Sequence, residues 1–309
     1  MSNYIDAIAM AASQLLPGTN LSEDPTPAWA AGTFAVGDER HVVATHRVYR
    51  CAKAGNSAVR PDQDATGWKD MRPTNLWAPF DEYSDTAAVS TTQDIVYYLG
   101  SRFCNALYLG GMAGSSALVE ILDGSSGASL YRYPQTGVYQ LKRPAAGYYD
   151  YAFGDRRTRP TLVLRDLPIR SNAVIKITIS ASAGQRRAIG MISRGKHRTL
   201  QGMGWGNVLE DSEVTPKTYT SRDVQPDGRQ RITVRGSGKD LRFSVVMPRK
   251  NADQAVQALT DLMSRPLPWF VSTKPGFAGL AAFGIAKSSP VRYRNRNAFI
   301  DVSVEGYVE

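Results

Sequence analysis

The stretch Ala173-Val174-Ile175-Lys176-Ile177-Thr178-Ile179 constrains the fold more than any other in the chain. Ala173, Ile175, Ile177 and Ile179 project to one side of an extended backbone, and Lys176 and Thr178 to the other. A period of two marks a strand buried on one face. Short apolar runs of the same kind recur at 95–99, 106–109, 117–122, 128–131 and 161–164, with Asp123-Gly124 between two of them as a hairpin turn. Regular spacing of short strands over residues 94–195 predicts an antiparallel β-sandwich or jelly roll.

The flanking segments read differently. Tyr4, Ile5, Ile8, Leu15 and Leu16 fall at helical spacing, so residues 1–26 are expected to form an N-terminal arm that breaks at Pro17-Gly18. Residues 27–72 hold Trp29, Phe34, Tyr49 and Trp68 around short strands expected at 33–36, 40–44 and 47–52, with turns at Gly37-Asp38 and Gly55-Asn56. Residues 73–93 form a connector plugged by Trp77 and Phe80. In residues 196–309 a helix is expected over 251–263, with Asn251 as N-cap and Ala255, Val256, Leu259, Leu262 and Met263 as its apolar stripe. Strands are expected at 241–247, 268–272, 280–287 and 297–307. The chain is thus expected to be mainly β: a small aromatic module, a sandwich, and a C-terminal antiparallel sheet with one packed helix.

Chemistry is sparse. The chain holds three His (His41, His46 and His197) and no Gly-x-Ser-x-Gly, so a nucleophilic triad is not expected. His41 and His46, five apart, suit neither a helix face nor a strand face for a metal. Asp81, Glu82, Asp85 and Asp94 cluster in and beside the connector and read as turn and cap residues rather than a glycosidase pair. Gly202-Met203-Gly204-Trp205-Gly206 has the glycines of a phosphate loop but not the Gly-Lys-Ser/Thr, and reads as a surface loop with Trp205 as a contact residue. Neither a catalytic residue, a cofactor nor a metal is expected.

Thirty-seven Lys and Arg against 28 Asp and Glu leave a net charge of +9. The basic residues are scattered, with local runs at Arg156-Arg157-Thr158-Arg159 and Arg292-Tyr293-Arg294-Asn295-Arg296. Acidic protein neighbours are expected there rather than specific nucleic-acid binding. Cys51 and Cys104 lie outside any paired motif and are expected as buried free thiols of a chain made in a reducing cytoplasm. The apolar stretch 5–16 is short, contains Asp6 and lacks a basic flank, so it is not read as a leader, and no run is long enough for a membrane span.

The module's aromatics have two readings. They are either its own core or a platform on which a pyranose stacks, with Trp29, Phe34 and Trp68 as the sugar-contacting candidates and Tyr49 pointing inward. Here Trp29, Gly32-Thr33-Phe34, Val36-Gly37-Asp38, Val42, Arg47-Val48-Tyr49-Arg50-Cys51, Asn56, Pro61 and Trp68 resemble the small chitin-binding-type carbohydrate-binding module. Pro73-Thr74-Asn75-Leu76-Trp77-Ala78-Pro79-Phe80-Asp81 is similar to the segment that follows this module in tailed-phage virion proteins labelled carbohydrate-binding tail proteins. A weaker similarity runs through 162–168, 173–179, 251–259, 268–270 and 302–306. Arg40-His41 departs from the family's Val-rich strand start. The resemblance implies a structural component of a phage tail tip or baseplate, located in the virion. Its implied partners are other tail proteins, further copies of itself as a trimer or hexamer, and a host surface polysaccharide. A free glycan-binding adhesin and a tail-associated glycan hydrolase are the competing expectations.

Overall fold

The computed structural model describes residues 3–81, 85–101, 103–142, 145–154, 158–200, 207–209, 211–224, 229–233, 236–272, 277, 279–287 and 289–307. The expected glycine loop at 202–206, and Arg156 and Arg157 of the first basic run, lie outside these residues, as does Glu82. Strand occupies 48% of the chain and helix 11%, which places it in the mainly β class.

One antiparallel sheet of eleven strands dominates and curls into a half-barrel. Its strands run in the order Leu162–Arg165, Ala106–Gly110, Met191–Thr199, Asn3–Ala7, Leu267–Phe270, Ala281–Ala286, Asn297–Gly306, Ser237–Pro248 and Asn207–Val208. Glu213–Thr218 also pairs with Ser237–Pro248, and Val291–Tyr293 with Asn297–Gly306. A second, five-stranded sheet carries Ser129–Tyr133, Ser116–Asp123, Ala173–Ser180 and Ile95–Gly100 in that order, with Tyr139–Gln140 also paired to Ser116–Asp123. Its face of Val119, Ile121, Ile175, Ile177 and Ile179 packs on Leu107, Leu109, Leu162, Leu164 and Ile192 of the large sheet in one apolar core. The alternation at 173–179 is therefore used as expected: the isoleucines are buried, while Lys176 reaches Glu120 at 3.1 Å on the other face.

The N-terminal segment departs from expectation. Residues Asn3–Ala7 form a strand, paired antiparallel with Met191–Thr199 on one side and Leu267–Phe270 on the other. Tyr4 enters the core beneath the helix, and Ile5 the core on the opposite face. A strand covered on both faces shows apolar residues at consecutive positions, and that hides its period of two. The expected boundary between residues 195 and 196 falls inside the Met191–Thr199 strand. At Gly195, opposite Ala7, a Cβ would collide with the Asp6 carbonyl, so only glycine lets the two backbones close.

The C-terminal helix runs over Ala252–Leu262 and is preceded by a 3-10 turn, Arg249–Asn251. Asn251 has helical dihedrals and its side chain makes no capping bond, contrary to expectation, because the 3-10 turn starts the helix ahead of it. Ala252, Ala255, Leu259 and Leu262 are buried against Phe243, Val245, Trp269, Ile300 and Val302, with Met263 packed at the edge. Val256 is only half-buried. Leu259→Ala is expected to cost about 2–4 kcal/mol through lost burial and a residual cavity. Chemical denaturation of the full chain measures this, and a loss below about 1 kcal/mol would show that the helix does not anchor the sheet.

Candidate functional site

The aromatic module is built on Glu39–Val42, Arg47–Cys51 and Trp68–Pro73, with Gly32–Phe34 paired to Gly55–Ser57 beside them. Gly55 and Asn56, expected as a turn, thus belong to a strand, with Gly55 at φ +147°. So short a segment has few residues to bury, and its rings must provide the core. Phe34 (7% exposed) and Trp68 (3%) meet edge to face at a centroid distance of 4.9 Å, with Val42, Tyr49 and Cys51 around them. Stacking on a sugar needs an exposed ring face, so the exposure expected of Trp68 is corrected: its ring fills the module. Tyr49 points inward as expected, donating to Thr45 Oγ1 at 3.2 Å. Trp29 is half-buried against the same cluster, its indole N–H without a partner. The structure brings Phe34 and Trp68 together as core and leaves Trp29 at their margin.

The module is fastened to the connector by a buried polar joint. The Asp24 carboxylate is fully buried, accepting from Arg72 at 2.7 and 3.1 Å, Thr26 N at 2.9 Å and Asn75 N at 3.0 Å. Burial opposes its ionisation, but Arg72 and these donors outweigh burial and hold the carboxyl below its ordinary range. Beside it, Glu23 binds His46 Nδ1 at 2.8 Å and accepts from Thr74 Oγ1, while the His46 ring stacks on Trp77 at 4.0 Å. The joint spends two acids, an Arg and a His on architecture.

The remaining candidates are similarly committed. His41 Nδ1 lies 2.7 Å from the Thr26 carbonyl. His197 stacks on Phe270 and is held toward its neutral form by burial. The three histidines sit in separate environments. Asp94 accepts from Ser180 Oγ at 2.7 Å and Arg187 Nε at 3.0 Å, and Asp81 accepts from Thr86. Cys51 and Cys104 are free and buried. In the second basic run, Arg292 pairs with Asp301 and Arg294 lies 5.0 Å over the Phe299 ring. Among the described residues no helix is long and apolar enough to cross a membrane.

The most conspicuous surface is one that motif reading missed. Tyr148–Phe153 forms a short helix between Gly147 and Gly154 with none of its residues buried. Tyr148, Tyr149, Tyr151 and Phe153 are 67 to 86% exposed, and Tyr149 and Phe153, one turn apart, have centroids 5.2 Å apart. Asp150 fastens the first turn by accepting from Ala146 N at 2.7 Å. The signal in the sequence is aromatic density alone: a segment that is aromatic all round has no period to betray it. Comparison with known protein families, characterised proteins and solved structures found no match.

Two outcomes follow from the module. Trp68→Ala and Tyr49→Ala should each unfold it, at a cost of roughly 3–5 kcal/mol. Limited proteolysis within 27–73 reads this, and a Trp68→Ala chain that stays protected there would return the ring to the surface. Asp24 has a folded pKa below its unfolded value of about 3.9. Its contribution is therefore present above about pH 4 and lost as pH falls through the lower, folded value. The stability difference between the natural chain and Asp24→Asn should thus be widest near neutrality and shrink in acid. A difference constant from pH 7 to pH 2 would refute this.

Proposed function

We propose that this chain is a structural component of a tailed-phage tail tip or baseplate, joined there to other tail proteins and to further copies of itself. The observation that carries the reading is the aromatic helix Tyr148–Phe153. Four large rings left in water are unusual on a protein that works alone, and such a patch marks a contact surface. The half-barrel adds open edges, with Leu162–Arg165 at one end and Asn207–Val208 and Glu213–Thr218 at the other. Open edges offer backbone groups to a neighbour. The hairpin Ser221–Val224 with Gln230–Thr233 pairs only with itself among the described residues, and its described side chains are exposed, Ile232 included. The residues resembling phage tail proteins support the choice of particle, and these features support assembly within it. Asp81, Asp94 and the three histidines are held by structural partners, which favours a non-enzymatic role.

Within this reading the aromatic module is a rigid spacer, since its rings are spent on its core. Glycan contact is a second reading, favoured by the exposed tyrosine faces of 148–153, which offer the platforms that Phe34 and Trp68 do not.

The triple variant Tyr149→Ser, Tyr151→Ser, Phe153→Ser tests both. The natural chain should associate into a trimer or hexamer by light scattering, and the variant should be a monomer with an unchanged melting temperature. Association retained with loss of binding to immobilised host polysaccharide would favour the glycan reading. A natural chain that is monomeric alone and in the particle would overturn the structural one.

A further inference from the structure

Two surface features find no complement within one copy of the chain, among the described residues. The first is the helix Tyr148–Phe153. It is carried on a loop tied at its base, where Arg159 N donates to the Leu141 carbonyl at 2.6 Å and Lys142 bridges Thr158. Tyr149 and Phe153, four residues apart, stand on one side of it, 77 and 75% exposed. Together they form a preformed aromatic knob.

The second is a half-open cleft of about 330 Å³ where the Asn3–Ala7 strand leaves the large sheet. Residues 7–10, 79–81, 191–194, 265–267 and Phe283 line it, and none of 145–154 does, so the knob does not fill the cleft of its own chain. The large lining members are apolar: Met10, Phe80, Met191, Ile192 and Phe283. Its charged members are spent inside the chain. Arg194 donates to the Gly100 carbonyl, Arg265 pairs with Asp6 at 2.7 Å, and Asp81 accepts from Thr86 at 2.8 Å. What the cleft offers a partner is therefore mostly apolar surface, and methionine lets such a surface adapt to the shape that enters it.

We propose that Tyr149 and Phe153 of one copy insert into this cleft of the next. This contact rests on the structural reading above and names the partner of the aromatic helix. A cavity of about 150 Å³ holds one benzene ring, so about 330 Å³ suits two, and Tyr149 and Phe153 present two with centroids 5.2 Å apart. Phe153 brings no polar atom, and the open mouth leaves the Tyr149 hydroxyl within reach of water. A large aromatic side chain buries roughly 150–250 Å². Four mostly exposed rings therefore offer on the order of 500–700 Å², against about 800 Å² per partner in a standard interface. Knob and cleft are different patches, so the contact is head-to-tail, and copies joined in that way close into a ring when the rotation allows.

Light scattering and melting temperature of variants of the full chain test this. Ala9 is an exposed residue of the cleft lining. Ala9→Trp, which fills the mouth, and Ala9→Glu, which puts a charge there, should each weaken association about thirtyfold or more, the scale of a lost aromatic anchor, with the melting temperature of the isolated chain unchanged. Mixing two variants reads the geometry. A copy with Tyr149→Ser and Phe153→Ser keeps its cleft, and a copy with Ala9→Trp keeps its knob. Each alone should be monomeric, and the two together should form a one-to-one dimer that grows no further. If the natural chain assembles and both Ala9 variants assemble equally well, or if the mixture stays monomeric, the head-to-tail contact is overturned while the structural reading stands. A natural chain that is monomeric alone and in the particle overturns both.

Discussion

The pairing of Asn3–Ala7 between Met191–Thr199 and Leu267–Phe270 is the interaction on which the rest of the structure depends. On one side of it lie the strands that share a core with the five-stranded sheet. On the other lie the strands that carry the helix. Without it each part would expose an edge and half of a core. Tyr4 and Ile5 bury opposite faces of the same strand, so a single five-residue segment closes two apolar cores at once. Burying a large apolar side chain contributes about 1.5–3 kcal/mol, a substantial share of a typical domain's stability.

Where a strand has one wet face, the sequence shows it. The runs at 95–99, 117–122, 161–164 and 173–179 became strands near their expected bounds, as did 241–247 and 297–307; 106–109 and 280–287, covered on both faces, were legible instead as short continuous apolar runs. The helix stripe of Ala255, Leu259 and Leu262 was legible for the same reason. Legibility fails at Tyr4-Ile5, where a strand covered on both faces lies in a segment whose apolar residues also fit helical spacing, and where tertiary pairing recruits glycine, as at Gly55. It fails again where a boundary drawn from composition crosses a shared sheet: nothing local at residues 195 and 196 says that the strand continues.

The candidate site was legible in kind but not in place. Aromatic richness in residues 27–72 was visible, but a ring's environment depends on how much else the segment has to bury. Phe34 and Trp68 are consumed by a module with few other apolar residues. The rings of Tyr148–Phe153 stand outside, and none joins an apolar core.

The hairpin arm at 221–233 carries a topological consequence. Among the described residues its two strands pair only with each other, so a break in the chain between Val224 and Gln230 removes no strand from the large sheet. The two fragments would still be laced together, since Asn3–Ala7 lies against Leu267–Phe270 and Glu213–Thr218 against Ser237–Pro248. The fold is in that sense a pair of complementary halves, each supplying strands the other lacks. The arm is accordingly the place where foreign sequence can be inserted, or the polypeptide divided and reassembled, with the least disturbance to the architecture.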